Sequence, residues 1–166
     1  MEQVILVNEA DEDIGVMEKM EAHQKGVLHR AFSVFLFNDE QKLLLQRRAS
    51  HKYHSGGLWT NTCCSHPRPG ETILEAATRR LEEEMGIRNV SLSVVDHILY
   101  KVDFENGLTE HEYDYIVEGV YNQDPVLNLE EADHFRWVSF EELNEEVNKT
   151  PDNFTYWFRF FLKNKK

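Results

Sequence analysis

The feature that most constrains the fold of this chain is the run LHRAFSVFLF at residues 28–37. Successive side chains of a β-strand point to opposite faces of the sheet, and this run is apolar at both parities. A strand of that kind is buried on both faces, so other elements must pack above and below it. The sequence therefore predicts an interior strand here, and Asn38-Asp39 turns the chain into a second strand at 42–47.

The clearest helix is predicted over residues 73–85. Thr72 and Glu75 have the spacing of a capping box at its start, and Gly86 suits its C-terminal end. Apolar residues recur along one face of such a helix and form the stripe that it buries. The sequence therefore predicts an amphipathic helix that packs by this face.

Shorter patterns predict the remaining elements. Strands are predicted at 3–8, 14–19, 57–64, 90–104, 109–121 and 135–138. Helices are predicted near 140–148 and at 153–164, and the Asn-Gly pair within 105–107 predicts a hairpin. Strands and helices mixed in this order predict an α/β sandwich that forms one domain over residues 1–166.

The net charge of the chain bears on the kind of ligand that it binds. There are 18 Lys and Arg against 30 Asp and Glu, which gives a formal net charge of −12. Nucleic-acid binding depends on clustered cationic charge, so this composition argues against a nucleic-acid partner. A small anionic ligand could still bind where the few basic residues converge, and the best candidates are Arg47, Arg48, His51 and Lys52.

Two adjacent cysteines, Cys63 and Cys64, are the only thiols of the chain. Neighbouring cysteines close almost no loop and make poor structural disulfides, which indicates a reducing compartment. The N-terminus lacks the basic start and long apolar stretch of a signal peptide, and no apolar run is long enough to span a membrane. We therefore expect a cytoplasmic protein without a membrane segment, and a monomer, because no long apolar face demands a partner.

The segment Glu110-His111-Glu112 begins the strand predicted at 109–121. Side chains two residues apart on a strand point to the same side, so both carboxylates project together while His111 points away. Two carboxylates at so short a distance repel each other, and the pKa of one rises unless a cation lies between them. The pattern fits either a metal site with two carboxylates or a solvated acidic end of the hairpin.

The segment Cys64-Ser65-His66-Pro67 shows the same spacing. Pro67 favours an extended conformation at His66, which lets Cys64 and His66 share one face. A thiol beside an imidazole fits a metal-binding pair, an activated nucleophile or core packing. The segment by itself does not select among these three interpretations.

Two further histidines, His23 and His29, flank the entry to the interior strand. Six residues apart, they cannot share a face of a regular element, but a turn at Lys25-Gly26 would bring them together. With His66 and the two carboxylates they make a five-ligand nitrogen and oxygen set, which suits Mn, Zn or Mg-like divalent ions. Four other histidines are interpreted as surface or capping residues: His51, His54, His97 and His134.

The charged face of the predicted helix adds a diphosphate-binding pattern. Residues 71–87 read E-x7-R-R-L-x-E-E-x-G-I, which looks like the Nudix box, in which helix carboxylates hold Mg²⁺ against a diphosphate. Ser65 stands in place of the first glycine of that box. Arg80 replaces the glutamate that belongs to the metal cluster of Nudix hydrolases, and this reverses the local charge. The pattern therefore favours diphosphate binding and argues against pyrophosphate hydrolysis, although an ordinary salt-bridged helix surface would also contain such charges.

The chain resembles the type I isopentenyl-diphosphate isomerases, a family of Nudix-fold enzymes that interconvert isopentenyl and dimethylallyl diphosphate. The likeness runs from Leu6 to about Phe161. The segment WTNTCCSHP at 59–67 is similar to the family's W-T-N-x-x-C-x-H-P, and the cysteine of that pattern falls on Cys64.

Two further segments carry the resemblance. The tripeptide EHE at 110–112 resembles the Glu-x-Glu of the family, and RRA at 47–49 with Lys52 resembles its R-R-A-x-x-K diphosphate clamp. The resemblance implies a Nudix-like α/β/α sandwich with a mixed β-sheet.

The resemblance also implies a role for each matching residue. Cys64 and Glu112 would form the catalytic pair, Tyr100 would assist proton delivery, and Tyr100 and Trp157 would line the hydrocarbon end of the substrate. One divalent ion, Mn²⁺, Zn²⁺ or Mg²⁺, would be held by three histidines and two carboxylates: His23, His29, His66, Glu110 and Glu112. Glu84 and the Cys64 carbonyl would hold the Mg²⁺ of the substrate diphosphate. Four cations would contact that diphosphate: Lys19, Arg48, Lys52 and Arg80.

The activity that the resemblance implies is movement of a carbon–carbon double bond in a small prenyl diphosphate of isoprenoid biosynthesis. Such a reaction adds a proton at one carbon and removes one from another through a carbocation-like intermediate. It therefore needs a positioned acid and base and the exclusion of water, and an indole face such as that of Trp157 can stabilise the cation. The rival predictions are a Nudix pyrophosphohydrolase of nucleotide or prenyl diphosphates and a non-catalytic metal- or ligand-binding domain.

Overall fold

A computed structural model describes residues 2–52 and 54–163 of the chain. Within these ranges nine strands form one mixed sheet: β1 Gln3–Val7, β2 Asp13–Glu18, β3 His29–Phe37, β4 Leu43–Arg48, β5 Trp59–Thr60, β6 Cys63–Ser65, β7 Leu92–Asp103, β8 Thr109–Val120 and β9 Ala132–Val138. The α-helices are α1 Lys19–Lys25, α2 Ile73–Met85, α3 Phe140–Lys149 and α4 Tyr156–Lys163. Among the described helices, none has the length and apolar character that a membrane span requires.

Strand β3 is the interior strand that the sequence predicts. β8 runs parallel to β3 along one edge, from His29 opposite Glu112 to Phe37 opposite Val120. Three antiparallel strands, β1, β6 and β4, share the other edge. This arrangement sets the start of β8 beside the start of β3 and places β6 beside the middle of β3. Segments that are far apart in the sequence therefore meet at this end of the sheet.

Both faces of β3 are buried, as its apolar pattern predicts. Phe32, Val34 and Leu36 pack on one face with the buried side of α2. Phe35 points the other way and packs with Phe158 of α4 and with α3. Each such fully buried side chain contributes about 1.5–3 kcal/mol to the stability of the fold. A helix layer on each side of a mixed sheet is the predicted α/β/α sandwich, so the predicted fold class is confirmed.

The extended segment predicted at 57–64 is two short strands, β5 and β6, separated by Asn61 and Thr62. Both of these polar residues are buried. The Asn61 amide donates a hydrogen bond of 3.0 Å to the Val34 carbonyl, and the Thr62 hydroxyl donates one of 2.6 Å to the Leu44 carbonyl. Buried polar groups need such partners, and these bonds attach the segment to β3 and β4.

Two helical regions differ from the predictions. The helix predicted at 153–164 begins at Tyr156, after a 3₁₀ turn at Pro151–Asn153, and residue 164 lies outside the described residues. The short helix α1 was not predicted. Its first turn is capped by the Glu18 side chain, which accepts a hydrogen bond from the Glu21 N–H, and Gly26 ends it in a left-handed conformation. Seven residues are too few for a stable isolated helix, so α1 depends on packing.

Gly86 ends α2 in the left-handed region, with φ of +62°. A β-carbon at this position would lie 2.6 Å from the carbonyl oxygen of Val126, whose own N–H donates a bond of 2.9 Å to the Met85 carbonyl. We expect Gly86→Ala to lower the free energy of unfolding by about 1–3 kcal/mol more than Gly107→Ala, because both add backbone strain but only Gly86 adds overlap.

The control is well matched because Gly107 also has a positive φ, +84°, and a β-carbon added there would meet nothing within 4 Å. Urea unfolding of both variants followed by circular dichroism measures the difference. Equal losses of stability in the two variants would show that the contact with the Val126 carbonyl is unimportant.

Candidate metal centre and active site

Three histidines from separate elements meet at the start of β3. His23 lies on α1, and Gly26 turns the chain so that the His23 and His29 ring centroids are 5.1 Å apart. His66, just after β6, lies with its ring centroid 5.6 Å from His23 and 5.0 Å from His29. All three rings are buried. The turn that the sequence analysis required between His23 and His29 is therefore present.

The two carboxylates of β8 face this histidine cluster. Glu112 Oε2 lies 2.9 Å from His66 Nε2 and 3.4 Å from His29 Nε2. Glu110 Oε1 lies 3.6 Å from His23 Nε2. Both glutamates are almost completely buried, at 4% and 5% exposure, so the interpretation of EHE as a solvated end of the hairpin is wrong. The parallel pairing of β3 with β8 explains the contact of Glu112 with His29.

A fourth histidine, His54, joins the cluster, and its interpretation as a surface or capping residue is wrong. It is buried, its Nε2 lies 2.8 Å from Glu110 Oε1, and its ring stacks on Phe104 at a centroid distance of 4.7 Å. The residue lies in the loop between β4 and β5, where no periodic pattern indicates the direction of a side chain. The other three histidines of that group are exposed, as expected: His51, His97 and His134.

The ring nitrogens of the cluster are arranged as metal-binding histidines usually are. His23 Nδ1 donates to the Lys19 carbonyl at 2.7 Å, and His29 Nδ1 donates to the Val27 carbonyl at 2.9 Å. Because these N–H groups point away from the cluster, Nε2 of each ring faces the carboxylates and is the nitrogen that a metal ion could bind. Burial lowers the pKa of His66, which also favours the neutral imidazole.

Ligand atoms of four buried residues lie within 4.8 Å of one another, and an overlapping group of three does the same. The first group is His23, His29, His66 and Glu112, and the second is His23, His54 and Glu110. Buried carboxylates of like charge need a neutralising partner. The residues therefore fit a divalent metal ion, and the nitrogen and oxygen donor set admits Mn, Zn or Mg.

Tyr100 connects the two carboxylates on the side away from the histidines. Its hydroxyl lies 2.5 Å from Glu110 Oε2 and 2.8 Å from Glu112 Oε1. Burial and the two carboxylates raise the pKa of Tyr100 well above its usual range, so this hydroxyl keeps its proton. Burial by itself would raise the pKa of both glutamates. Hydrogen bonds with His23 and His54 outweigh this effect at Glu110 and hold its pKa well below the usual range. Hydrogen bonds with His29 and His66 likewise lower the pKa of Glu112, although the charge of Glu110 repels it.

Asp114 is a third carboxylate on the same face of β8, and the sequence analysis missed it. It is buried, and the Ser33 hydroxyl donates a hydrogen bond of 2.8 Å to its Oδ2. Burial and the charge of Glu112 raise the pKa of Asp114 well above its usual range. The alternation Glu110, Glu112, Asp114 was a usable signal, because residues at period two share a face.

Cys64 lies across β3 from these carboxylates, because β6 and β8 pair with opposite edges of that strand. The Trp157 indole N–H donates to Cys64 Sγ at 3.0 Å, and the thiol donates to Asn61 Oδ1 at 3.0 Å. Burial and the charge of Asp114 raise the pKa of Cys64 far above its usual value. A shift in this direction favours the protonated thiol over the thiolate.

Cys64 and Glu112 line the same cavity. The cavity has a volume of about 30 Å³ and its walls are Phe32, Ser33, Arg48, His54, Cys64, Ser65, His66, Tyr100, Glu110, Glu112 and Trp157. Nine of these eleven residues are buried, so most of the cavity wall is shielded from bulk solvent.

A family profile described as the NUDIX domain matches residues 27–158. "Isopentenyl-diphosphate Delta-isomerase 2" of Aromatoleum aromaticum is 51% identical over 156 residues, which cover 94% of this chain and 82% of that protein. The "Isopentenyl-diphosphate Delta-isomerase" of Pectobacterium atrosepticum is 50% identical over 157 residues, 95% of this chain and 87% of that protein. The chain belongs to the isopentenyl-diphosphate Delta-isomerase family of NUDIX-domain proteins. The resemblance noted in the sequence is thereby confirmed.

Solved structures agree on the fold of this isomerase-family chain. The crystal structure of DR0079 from Deinococcus radiodurans superposes with a TM-score of 0.81 at 18% identity, covering 99% of this chain and 100% of that one. A MutT protein from Methanosarcina mazei Go1 superposes with a TM-score of 0.62 at 23% identity, covering 84% and 96%. At these identities the likeness shows the fold alone.

The altered Nudix box of this isomerase-family member forms a network of ion pairs on α2. Arg79 holds Glu71 through two bonds, of 2.7 and 2.9 Å. Arg80, the cation in place of a box glutamate, lies 2.9 Å from Glu84, and Gln46 donates to Glu84 at 3.1 Å. The buried Glu84 carboxylate is therefore matched by a cation from its own helix, as the spacing of four residues predicts.

Two of the four predicted diphosphate-binding cations of this isomerase-family chain converge on one carboxylate. Lys52 Nζ and Arg80 Nη2 lie 2.8 and 2.9 Å from Glu131 Oε2. Glu131 ends a loop whose Asn128 N–H donates to the Glu84 carbonyl at 3.0 Å, so this loop is anchored to α2. No pattern in the sequence points to Glu131.

The other two predicted cations lie in different surroundings. Arg48 is buried at the cavity, donates to the His54 carbonyl at 3.2 Å, and its guanidinium lies 5.3 Å from the centre of the Trp157 ring. Lys19 lies 3.2 Å from Glu2. The structure thus brings Lys52 and Arg80 together and sets Arg48 beside Trp157.

Proposed function

We propose that this chain is an isopentenyl-diphosphate Delta-isomerase, which interconverts isopentenyl and dimethylallyl diphosphate. The observation that carries the proposal is the small buried cavity that Cys64 and Glu112 both line. Because β6 and β8 lie on opposite edges of β3, the two side chains approach a bound molecule from different sides. Relatives with this name at 51% and 50% identity support the same conclusion.

In the proposed reaction one of these two groups donates a proton to the terminal alkene carbon, and the other removes a proton from the carbon on the opposite side of the cationic centre. No proton is gained or lost overall, and the groups exchange roles when the reaction runs backwards. The hydroxyl of Tyr100, 2.8 Å from Glu112 Oε1, orients that carboxylate. The buried side chains that line the cavity are proposed to limit the access of water to the carbocation-like intermediate, which would otherwise be hydrated.

The histidine and glutamate cluster is proposed to hold one Mn²⁺, Zn²⁺ or Mg²⁺ ion. Its proposed ligands are His23, His29, His66, Glu110 and Glu112. When bound, the ion supplies positive charge that tunes the acidity of Glu112. The outward-directed Nδ1–H groups of His23 and His29 hold the rings in place.

The substrate diphosphate is proposed to bind at the altered Nudix helix with Mg²⁺. Glu84 and the Cys64 carbonyl are the proposed ligands of this Mg²⁺, while Lys52 and Arg80, which converge within 2.9 Å of Glu131, contact the diphosphate with Lys19 and Arg48. The proposed substrate is a small prenyl diphosphate. A cation at Arg80 disfavours the cluster of metal-bound carboxylates that hydrolysis of the diphosphate would use.

The chain is further proposed to work as a monomer in the cytoplasm. Cys63 and Cys64 are both free thiols, which suits a reducing compartment.

The proposal is tested by incubating the chain with isopentenyl diphosphate and Mg²⁺ in D₂O and following the product by proton NMR. We expect the vinylidene signals to decline while a second methyl signal of dimethylallyl diphosphate appears, with deuterium at the exchanged carbons. In a parallel assay a panel of nucleoside diphosphate derivatives is incubated with the chain and then with a phosphatase, which releases phosphate from any monophosphate products. Phosphate release without any isomerisation would support the rival pyrophosphohydrolase and refute the proposal.

A further inference from the structure

We propose that His54 is a fourth histidine ligand of the metal centre, in addition to the five residues that the family resemblance implies. The inference rests on the metal site of the proposed function and extends it by one donor. The resulting set has four imidazoles and two carboxylates: His23, His29, His54, His66, Glu110 and Glu112.

The position of His54 supports direct coordination. Its side chain is 2% exposed, and its Nε2 lies 2.8 Å from Glu110 Oε1. Ligand atoms of His54, His23 and Glu110 all lie within 4.8 Å of one another. Two neighbouring ligands of an ion with bonds of about 2.0–2.1 Å lie roughly 3 Å apart, so the separation of His54 and Glu110 suits donors on one ion.

The orientation of the His54 ring matches that of His23 and His29. In all three, Nδ1 faces an oxygen and Nε2 faces a buried glutamate; for His54 that oxygen is Ser55 Oγ, at 3.3 Å. The ring is held between aromatic neighbours, stacked on Phe104 and 5.6 Å from the Trp157 ring. Fixed ring orientation and an engaged second nitrogen are what metal-binding imidazoles show.

The backbone of the loop is shaped to turn His54 inward. Ser55, the next residue, has a positive φ of 55°, which is uncommon for a residue with a side chain. Gly56 packs so closely that a β-carbon would lie 2.5 Å from the Ser50 carbonyl oxygen. Such a conformation is costly, and its effect here is to bring one imidazole to Glu110.

A fourth imidazole also changes which ion the centre prefers. Imidazole nitrogen suits transition metals, whereas carboxylates and water suit Mg²⁺. His54 therefore favours a transition metal over Mg²⁺ in this centre. His54 also connects the metal centre with Trp157, because the two rings pack against each other.

To test this proposal, the full chain is loaded with Co²⁺ in the absence of substrate. The strongly shifted N–H signals that disappear in D₂O are then counted in the proton NMR spectrum. Each coordinated imidazole contributes one such signal, so four are expected. His54→Ala and His54→Gln should each show three, and should bind Co²⁺ at least about tenfold more weakly, since even outer partners of metal ligands cost that much. The control His134→Ala removes an exposed histidine and should keep four signals.

Three signals in the unaltered chain, with the same three in His54→Ala, would overturn the proposal. The count in the unaltered chain decides the matter even where a variant misfolds. Since no substrate is present, this result is separate from the NMR assay of isomerisation. A chain that isomerises but shows three signals would keep its proposed function and lose the His54 ligand.

Discussion

Glu112→Gln and Cys64→Ala are each expected to abolish isomerisation while the fold survives. Glu112 contacts Tyr100 and two of the metal-site histidines, His29 and His66, and glutamine cannot exchange a proton. Cys64→Ala removes the only thiol among the residues that line the cavity. Positioned acid–base groups contribute about 10²–10⁴-fold each, so we expect turnover to fall by at least about 10²-fold in either variant.

Turnover of isopentenyl diphosphate is measured by NMR, and folding by near-ultraviolet circular dichroism. Two matched controls separate chemistry from packing. Cys63→Ala removes the adjacent thiol, whose residue packs with α2 on the other side of the sheet, and Glu118→Gln changes a partly buried carboxyl further along β8. Both controls should retain most of the activity. Near-wild-type turnover in Glu112→Gln or Cys64→Ala would remove that residue from the mechanism.

Removal of divalent ions with a chelator is expected to abolish activity and to lower the melting temperature. Without the ion, the two buried carboxylates and the clustered imidazoles have no metal cation to bind. The folded state therefore loses the binding free energy of the ion. An ion present at 100–1,000 times its Kd contributes about 2.7–4.1 kcal/mol. For a domain of this size that corresponds to a fall of roughly 5–15 °C.

Differential scanning calorimetry with and without the chelator measures this shift, followed by separate addition of Mn²⁺, Zn²⁺ and Mg²⁺. Glu110→Gln is the matched control, because it weakens the centre and should show a much smaller response to the chelator. Identical melting curves and undiminished turnover after complete removal of metal would contradict a metal centre in this cluster.

The parts of the molecule that could be predicted from sequence are those set by local period or local capping. The interior strand at 28–37, the hairpin at 105–107 and the capping box at Thr72 each follow from a pattern within a few residues. The pairing of Glu110 with Glu112 also follows from period two. In each of these cases the local pattern and the final fold agree, which makes the pattern informative.

The parts that could not be predicted depend on contacts between distant segments. The direction of His54 is set by a loop whose Gly56 packs against the Ser50 carbonyl, and no periodicity describes that. Helix α1 is stabilised by burial of Ala22 and His23 and not by its length. Glu131 reaches Lys52 and Arg80 only because its loop docks on α2.

The guanidinium of Arg48, which lies above the Trp157 ring, makes the electrostatic potential different at the two ends of the cavity. A cation attracts an anion and repels another cation, and with little water between them both effects are strong. In the proposed reaction the diphosphate of the substrate is therefore drawn toward Arg48, and a transient positive charge on the hydrocarbon is repelled toward the glutamates. Arg48 is thus proposed to fix the orientation of the substrate before any bond changes, an effect that a hydrocarbon without the diphosphate would not experience.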